Sequence, residues 1–188
     1  MPFFSRHLRF AAAGILAVTL LVSVAPAAGA ATQSPKKWAG SVCGALDAWI
    51  GDITAASDAA GKAAPTSSAQ VKKKLTKVLV LTQGETKTLI KKLKAAGEPD
   101  VKGGKQIAAT MREGYAQVLR TVTSARKVLS KASTKDPTVF MNAARTAQDA
   151  LESGLEGIQA AFSAARTADT PALVTAFAAN KRCQAVAT

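Results

Sequence analysis

The sequence predicts an all-α protein: an antiparallel four-helix bundle followed by a short C-terminal helix. After the first thirty residues the chain is rich in alanine, leucine and lysine and poor in aromatic residues, a composition that favours helices. Its apolar residues recur at helical spacing in four long stretches. Short segments with proline, glycine or serine separate these stretches, and consecutive helices joined in this way usually pack antiparallel around one core. We expect no strands.

The first thirty residues have the pattern of an export signal. Arg6 and Arg9 precede an apolar run over residues 10–24, and the segment ends in Ala-Gly-Ala, the small side chains that a signal peptidase requires. The run has about fifteen residues, whereas a membrane-spanning helix needs roughly 20. We therefore expect cleavage after Ala30 and a secreted, extracytoplasmic protein with no transmembrane segment. The alternative is an uncleaved N-terminal anchor.

The predicted mature chain, residues 31–188, has the length of one domain and lacks histidine, because the single histidine is His7. This excludes Ser-His-Asp and Cys-His catalytic pairs and histidine-ligated zinc or haem. Two cysteines are too few for a four-cysteine zinc or iron–sulfur site. The sequence therefore predicts no cofactor, no metal site and no catalytic residue.

The two cysteines, Cys43 and Cys183, lie near opposite ends of this domain. An even pair of cysteines in an oxidising compartment indicates a structural disulfide. Closing a loop of about 140 residues would stabilise the fold by up to about 4–5 kcal/mol on the chain-entropy model. We predict that the disulfide ties the last helix to the first.

The first helix is predicted from Lys36 to about Ala56, and residues 64–68, Ala-Pro-Thr-Ser-Ser, interrupt its pattern. Its apolar stripe contains both tryptophans and consists of Trp38, Val42, Ala45, Leu46, Trp49 and Ile50. The tryptophans flank Cys43 and could line a ligand cleft. Large aromatic residues beside a disulfide more often pack in the core, and we expect that role here.

The second helix is predicted from about Ser68 to a stop at Gly97 and Pro99. Its apolar stripe consists of Val71, Leu75, Val78, Thr82, Leu89 and Leu93. The third helix follows the connection over residues 97–104 and continues to about Ala132. Its stripe repeats the same spacing with Ile107, Met111, Gly114, Val118, Val122, Ala125 and Leu129.

The fourth and fifth helices share a start signal, a capping residue followed by proline, at Asp136-Pro137 and Thr170-Pro171. The fourth apolar stripe consists of Phe140, Ala144, Ala147, Leu151, Leu155, Ile158 and Phe162. The fifth helix is predicted as one short helix that continues towards Cys183.

Positive charge is concentrated in the second and third helices. The chain has 25 Lys and Arg against 12 Asp and Glu, and sixteen of the basic residues but four of the acidic ones lie between Lys72 and Lys135. Helical geometry places ten cations opposite the two apolar stripes. These ten residues, called the basic face below, are Lys73, Lys77, Lys87, Lys91, Lys94, Lys105, Arg112, Arg120, Lys127 and Lys131. If the two helices form a hairpin, the basic face is one continuous surface that attracts polyanions.

The basic face favours a non-enzymatic exported protein that binds anionic envelope polymers, an acidic lipid surface or an acidic protein. Lysine is also a good helix former that keeps a protein soluble, so the face could have no dedicated ligand. Two alternatives are an interaction module with an apolar groove between helices and an enzyme that uses carboxylates and lysines. Specific nucleic-acid binding is not expected, because Tyr115 is the one aromatic residue of the basic segment and no recognition motif is present.

Several motifs resemble those of small exported alanine-rich helical proteins of actinobacteria. They are the early Trp-x4-Cys of Trp38 and Cys43, the Ala-Ala-Gly-Glu-Pro-Asp-Val-Lys-Gly-Gly connection over residues 95–104, and the late Cys183. The resemblance implies an exported α-helical protein and transfers no catalytic residue. Lys181-Arg182 stands where such proteins usually have a proline beside the last cysteine.

Overall fold

The computed structural model describes residues 31–62, 64–149 and 170–186, and most of them are helical. The predicted signal segment and the fourth apolar stripe beyond residue 149 lie outside the described residues. In chain order the helices are α1 (Pro35–Gly61), α2 (Ser68–Ala95), α3 (Gly104–Lys131), α4 (137–149 within the described part), α5 (Pro171–Ala178) and α6 (Lys181–Val186).

The predicted start and stop signals lie at the observed helix ends. The Asp136 carboxylate accepts hydrogen bonds from the backbone N–H groups of Thr138 and Val139, at 2.9 and 3.1 Å, as an N-cap does. Ser67 caps α2 in the same way through its hydroxyl oxygen. Gly97 follows the end of α2 with a φ of 69°, a left-handed conformation that glycine adopts at little cost.

Two short strands show that the expectation of no strands was wrong. β1 (Thr32–Gln33) and β2 (Glu98–Pro99) pair in parallel, with Thr32 opposite Glu98. The backbone N–H of Asp100 also donates to the carbonyl oxygen of Gln33 at 2.7 Å. The segment before α1 is thereby attached to the α2–α3 connection. Two-residue strands have no readable periodicity, so the sequence pattern could not predict them.

The predicted single fifth helix is two helices, α5 and α6, separated at Asn180. The Asn180 side-chain oxygen accepts from the backbone N–H groups of Arg182 and Cys183, at 3.0 and 3.4 Å. Asparagine competes with the helix for such bonds, which explains why the chain restarts a helix here. The predicted disulfide is confirmed: Cys43 and Cys183 are bonded to each other and join α1 to α6.

The predicted stripes supply most of the core. Both tryptophans are buried, as expected, and the Trp38 ring packs edge-on against Phe177 with centroids 6.0 Å apart. Ile50 was assigned to the stripe of the first helix but is exposed. By helical geometry Ile50 lies on the same side of α1 as Cys43, two turns later. Cys43 is covered there by the short helices α5 and α6, through Ala176 and Cys183. Leu75, another stripe residue, is also exposed.

Helix α2 packs against both α1 and α3, and α1 also packs against α5 and α6. α4 contributes Phe140 and Ala147 to the same core cluster. This arrangement leaves one side of α2 and α3 facing away from the core, and that side holds the basic face.

Candidate anion-binding surface

The structure places the basic face on the solvent side of α2 and α3. Nine of its ten residues are exposed, and Arg112 is partly buried. These two helices together carry fourteen Lys and Arg and only two acidic residues, Glu85 and Glu113. Little negative charge is therefore available within α2 and α3 to offset the cations.

Arg120 is the member of the basic face with a carboxylate partner in the described part of the chain. Its guanidinium lies 2.6 Å from a carboxylate oxygen of Glu113 and also donates to the side-chain oxygen of Gln117. Both charged side chains are more than half exposed, so the pair contributes little to stability. The Glu113 carboxylate does reduce the net positive charge around Arg120. Within residues 31–62, 64–149 and 170–186, the side chains of the other nine make no ion pair or hydrogen bond.

Hydrogen bonds between side chains mark where α2 meets α3. The Gln83 side-chain amide donates to the Thr123 hydroxyl oxygen at 2.9 Å and accepts from the Arg126 guanidinium at 2.7 Å. Further along the same two helices, the Lys72 ammonium donates to the carbonyl oxygens of Ser130 and Ala132 at 2.9 and 2.7 Å. We call this line of contacts the α2–α3 seam. It fixes which sides of the two helices face each other.

Two lysines that the sequence analysis did not single out, Lys72 and Lys74, bind helix ends. Lys72 contacts the last carbonyl groups of α3, and the Lys74 ammonium donates to the carbonyl oxygen of Ala60, in the last turn of α1, at 2.8 Å. Cations are favoured at helix C-termini because the carbonyl dipoles there point outward. Two lysines in the first turns of a helix that lies between two neighbours could have suggested this role.

A shallow depression, open to solvent, lies on α3 beside the seam. It is lined by Leu119, Arg120, Thr123, Ser124 and Lys127. Arg120 and Lys127 lie about two helical turns apart with two hydroxyl groups between them, an arrangement that can hold an anion at the surface. The Thr123 hydroxyl is already engaged, since it donates to the Leu119 carbonyl oxygen at 2.7 Å.

Tyr115, the one aromatic residue of α2 and α3, lies in the core and not on the basic face. It is 1% exposed, and its ring packs edge-on against Trp49 with centroids 5.6 Å apart. Burial raises the pKa of its hydroxyl above the ordinary value. The basic face therefore offers no aromatic ring on which a nucleic-acid base could stack.

In the described ranges, no group of three or more His, Cys, Asp or Glu side chains is placed to hold a metal ion. No helix of the described part combines the length and apolarity that crossing a membrane requires.

Comparison with known proteins adds no family. No protein-family model, curated protein or solved structure matches the chain. The exposed cations of α2 and α3 are therefore the basis of the functional proposal.

Proposed function

We propose that this chain is an exported, non-enzymatic helical protein that binds anionic polymers of the cell envelope through its basic face. The observation that carries the proposal is the exposure of these cations on two helices that contain only two carboxylates. A surface of this kind creates a positive potential that attracts polyanions over about one Debye length, ~8 Å at physiological ionic strength.

The seam supports a continuous face. Lys87 follows Gln83 by four residues, and Lys127 follows Thr123 by four, so each lies about one turn along its helix from a seam contact. Arg112 precedes Thr123 by eleven residues, about three turns away on the same side. Because Gln83 and Thr123 touch, cations of both helices flank one line.

We infer that the helices form an antiparallel four-helix bundle. Between α1 and α2, the indole N–H of Trp38 donates a hydrogen bond to the carbonyl oxygen of Gly97, just after α2, and that of Trp49 donates to the hydroxyl oxygen of Thr86. The later residue of α1 thus contacts the earlier residue of the partner segment, as it does when two helices run in opposite directions. The contacts of Lys72 with Ser130 and of Gln83 with Thr123 support the same reversal between α2 and α3. α4 contributes Phe140 to the shared core, and we assign it as the fourth helix of the bundle.

Export, with cleavage after Ala30, is the second component of the proposal. The disulfide between Cys43 and Cys183 supports it, because disulfides persist in oxidising compartments. The resemblance to exported actinobacterial helical proteins is consistent with the same location.

A docking role through an apolar surface has less support. The large apolar side chains that are exposed in the described residues are spread over four helices: Ile50, Leu75, Val80, Val139, Met141 and Val174. An apolar docking site usually requires a contiguous patch. The cations, in contrast, share two adjoining helices.

The proposal is tested by retention on immobilised long-chain polyphosphate in a salt gradient. We compare K87E/K91E/K127E, which reverses three charges of the basic face, with K36E/K37E/K62E, which reverses three exposed lysines of α1 and its C-cap. Both variants change the net charge equally. The basic-face variant should elute at distinctly lower salt than the control variant. Equal elution would show that only net charge matters and would overturn the proposal.

A further inference from the structure

We propose that the occupant of the basic face is a flexible linear phosphate polymer that lies along the α2–α3 seam, and not a compact multivalent anion. This inference rests on the proposed function and specifies its ligand. Three observations carry it: the length over which the cations are spread, the shallow relief of the surface, and the chemistry of the groups left unoccupied.

The cations form two long rows. On α2 they extend from Lys73 to Lys94, and on α3 from Lys105 to Lys131. At 1.5 Å per residue the α2 row alone is about 30 Å long. A compact anion can contact only a few of these groups at once, whereas a chain along the seam can contact cations at both ends. The rows therefore match an extended ligand.

The surface relief points the same way. The depression beside Arg120 and Lys127 is shallow and open to solvent, and nine of the ten cations are exposed. Each contact is thus solvated and weak. Useful affinity requires many contacts along one ligand, in which each contact raises the effective concentration for the next.

The unoccupied groups favour phosphate. The guanidinium groups of Arg120 and Arg126 are engaged by side chains of this chain, so the remaining cations are lysines, apart from Arg112. The forked guanidinium of arginine matches planar carboxylates and phosphates alike, whereas the ammonium groups available here bind phosphate oxygens as point charges and give a carboxylate no such bidentate geometry. Tyr115 is buried, and Leu75 and Val80, the large apolar residues exposed on α2 and α3, both lie in the first half of α2. Neither base stacking nor lipid insertion is therefore favoured along the whole face.

The test uses calorimetric titration of the folded, disulfide-bonded chain with tripolyphosphate, with polyphosphate longer than the seam, and with polyglutamate matched to the long polymer in charge number. Two variants each remove one end of the seam, namely K73E/K131E and K94E/K105E. The matched control is K36E/K37E, which has the same net charge. Concentrations are expressed per anionic group.

Long polyphosphate should bind at least about tenfold more tightly than tripolyphosphate. It should also bind more tightly than polyglutamate. Each end variant should weaken binding of the long polymer by about fivefold relative to the control. Loss at only one end, or equal affinity for short and long chains, would overturn the linear arrangement. Polyglutamate or anionic lipid vesicles binding as tightly as long polyphosphate would overturn the phosphate assignment. If no variant differed from the control with any anion, the proposed function itself would fail.

Discussion

The indole nitrogen of Trp49 donates a hydrogen bond to the hydroxyl oxygen of Thr86 across 3.2 Å. Thr86 is fully buried and donates in turn to the carbonyl oxygen of Thr82 at 2.7 Å. This chain of bonds satisfies a buried indole N–H inside the α1–α2 interface, where an unpaired donor is costly. It fixes the two helices in register as well as stabilising them.

Thr86→Val should therefore lower the free energy of unfolding by about 1–3 kcal/mol, because the Trp49 donor stays buried and loses its acceptor. Thr88→Val is the matched control, since the exposed Thr88 hydroxyl donates only to the Gly84 carbonyl of its own helix. Urea unfolding followed by far-UV circular dichroism measures both. Equal midpoints for the two variants would refute the role of the buried bond.

Gly97→Ala should destabilise the protein more than Gly103→Ala. Both glycines have positive φ values, 69° and 75°, so each alanine variant incurs a backbone cost of about 1–2 kcal/mol. A Cβ at Gly97 would also overlap the carbonyl oxygen of Ala31, whereas a Cβ at Gly103 meets nothing within 4 Å. The difference between the two urea midpoints isolates the contact with the N-terminal segment. A Gly103→Ala variant as unstable as Gly97→Ala would contradict it.

Removing the disulfide as C43A/C183A should lower the free energy of unfolding by up to about 4–5 kcal/mol, since the bond closes a loop of 140 residues. Urea titrations with and without reductant measure the effect. Reductant should bring the wild-type chain to the stability of the double variant and leave that variant unchanged. If reductant left the free energy of unfolding of the wild-type chain unchanged, the disulfide would be contradicted.

Tyr115 predicts a loss of stability at alkaline pH. Its pKa is raised by burial in the folded state, while in the unfolded chain it ionises at about pH 10. Above that pH the unfolded state binds fewer protons than the folded state, so the free energy of unfolding falls by about 1.4 kcal/mol per pH unit until the folded pKa is reached. Tyr115→Phe should lack this component of the pH dependence.

Tyrosinate absorbance measures this directly, because the chain contains a single tyrosine. Absorbance should rise together with the loss of helical circular dichroism. Ionisation near pH 10 in a chain that is still fully helical would show that the ring is accessible and would refute the assignment.

Local signals in the sequence predicted much of the fold. The Asp136-Pro137 start, the stop near Gly97, the burial of both tryptophans and the disulfide are all confirmed. Each depends on side-chain chemistry or spacing within a few residues, or on counting cysteines. The exposure of the basic face follows from the same periodicity that identifies the apolar stripes.

Features that depend on distant partners were not predictable in this way. The pairing of Thr32 with Glu98 joins segments whose proximity exists only after α1 and α2 have packed. The bonds from Lys72 to the end of α3 likewise depend on the register of two helices. Periodicity places a residue on a face of its own helix, but it does not say which neighbour lies opposite.

The most direct test of the account is the salt dependence of binding to long polyphosphate. Log affinity against log salt concentration has a slope proportional to the number of cation–phosphate contacts, about 0.7 per contact for a flexible strand. We predict that the slope for K87E/K91E/K127E is smaller than that of the wild-type chain by about 2, while K36E/K37E/K62E keeps the wild-type slope. Identical slopes for the two variants would contradict the claim that the cations of α2 and α3 form one polyanion-binding surface.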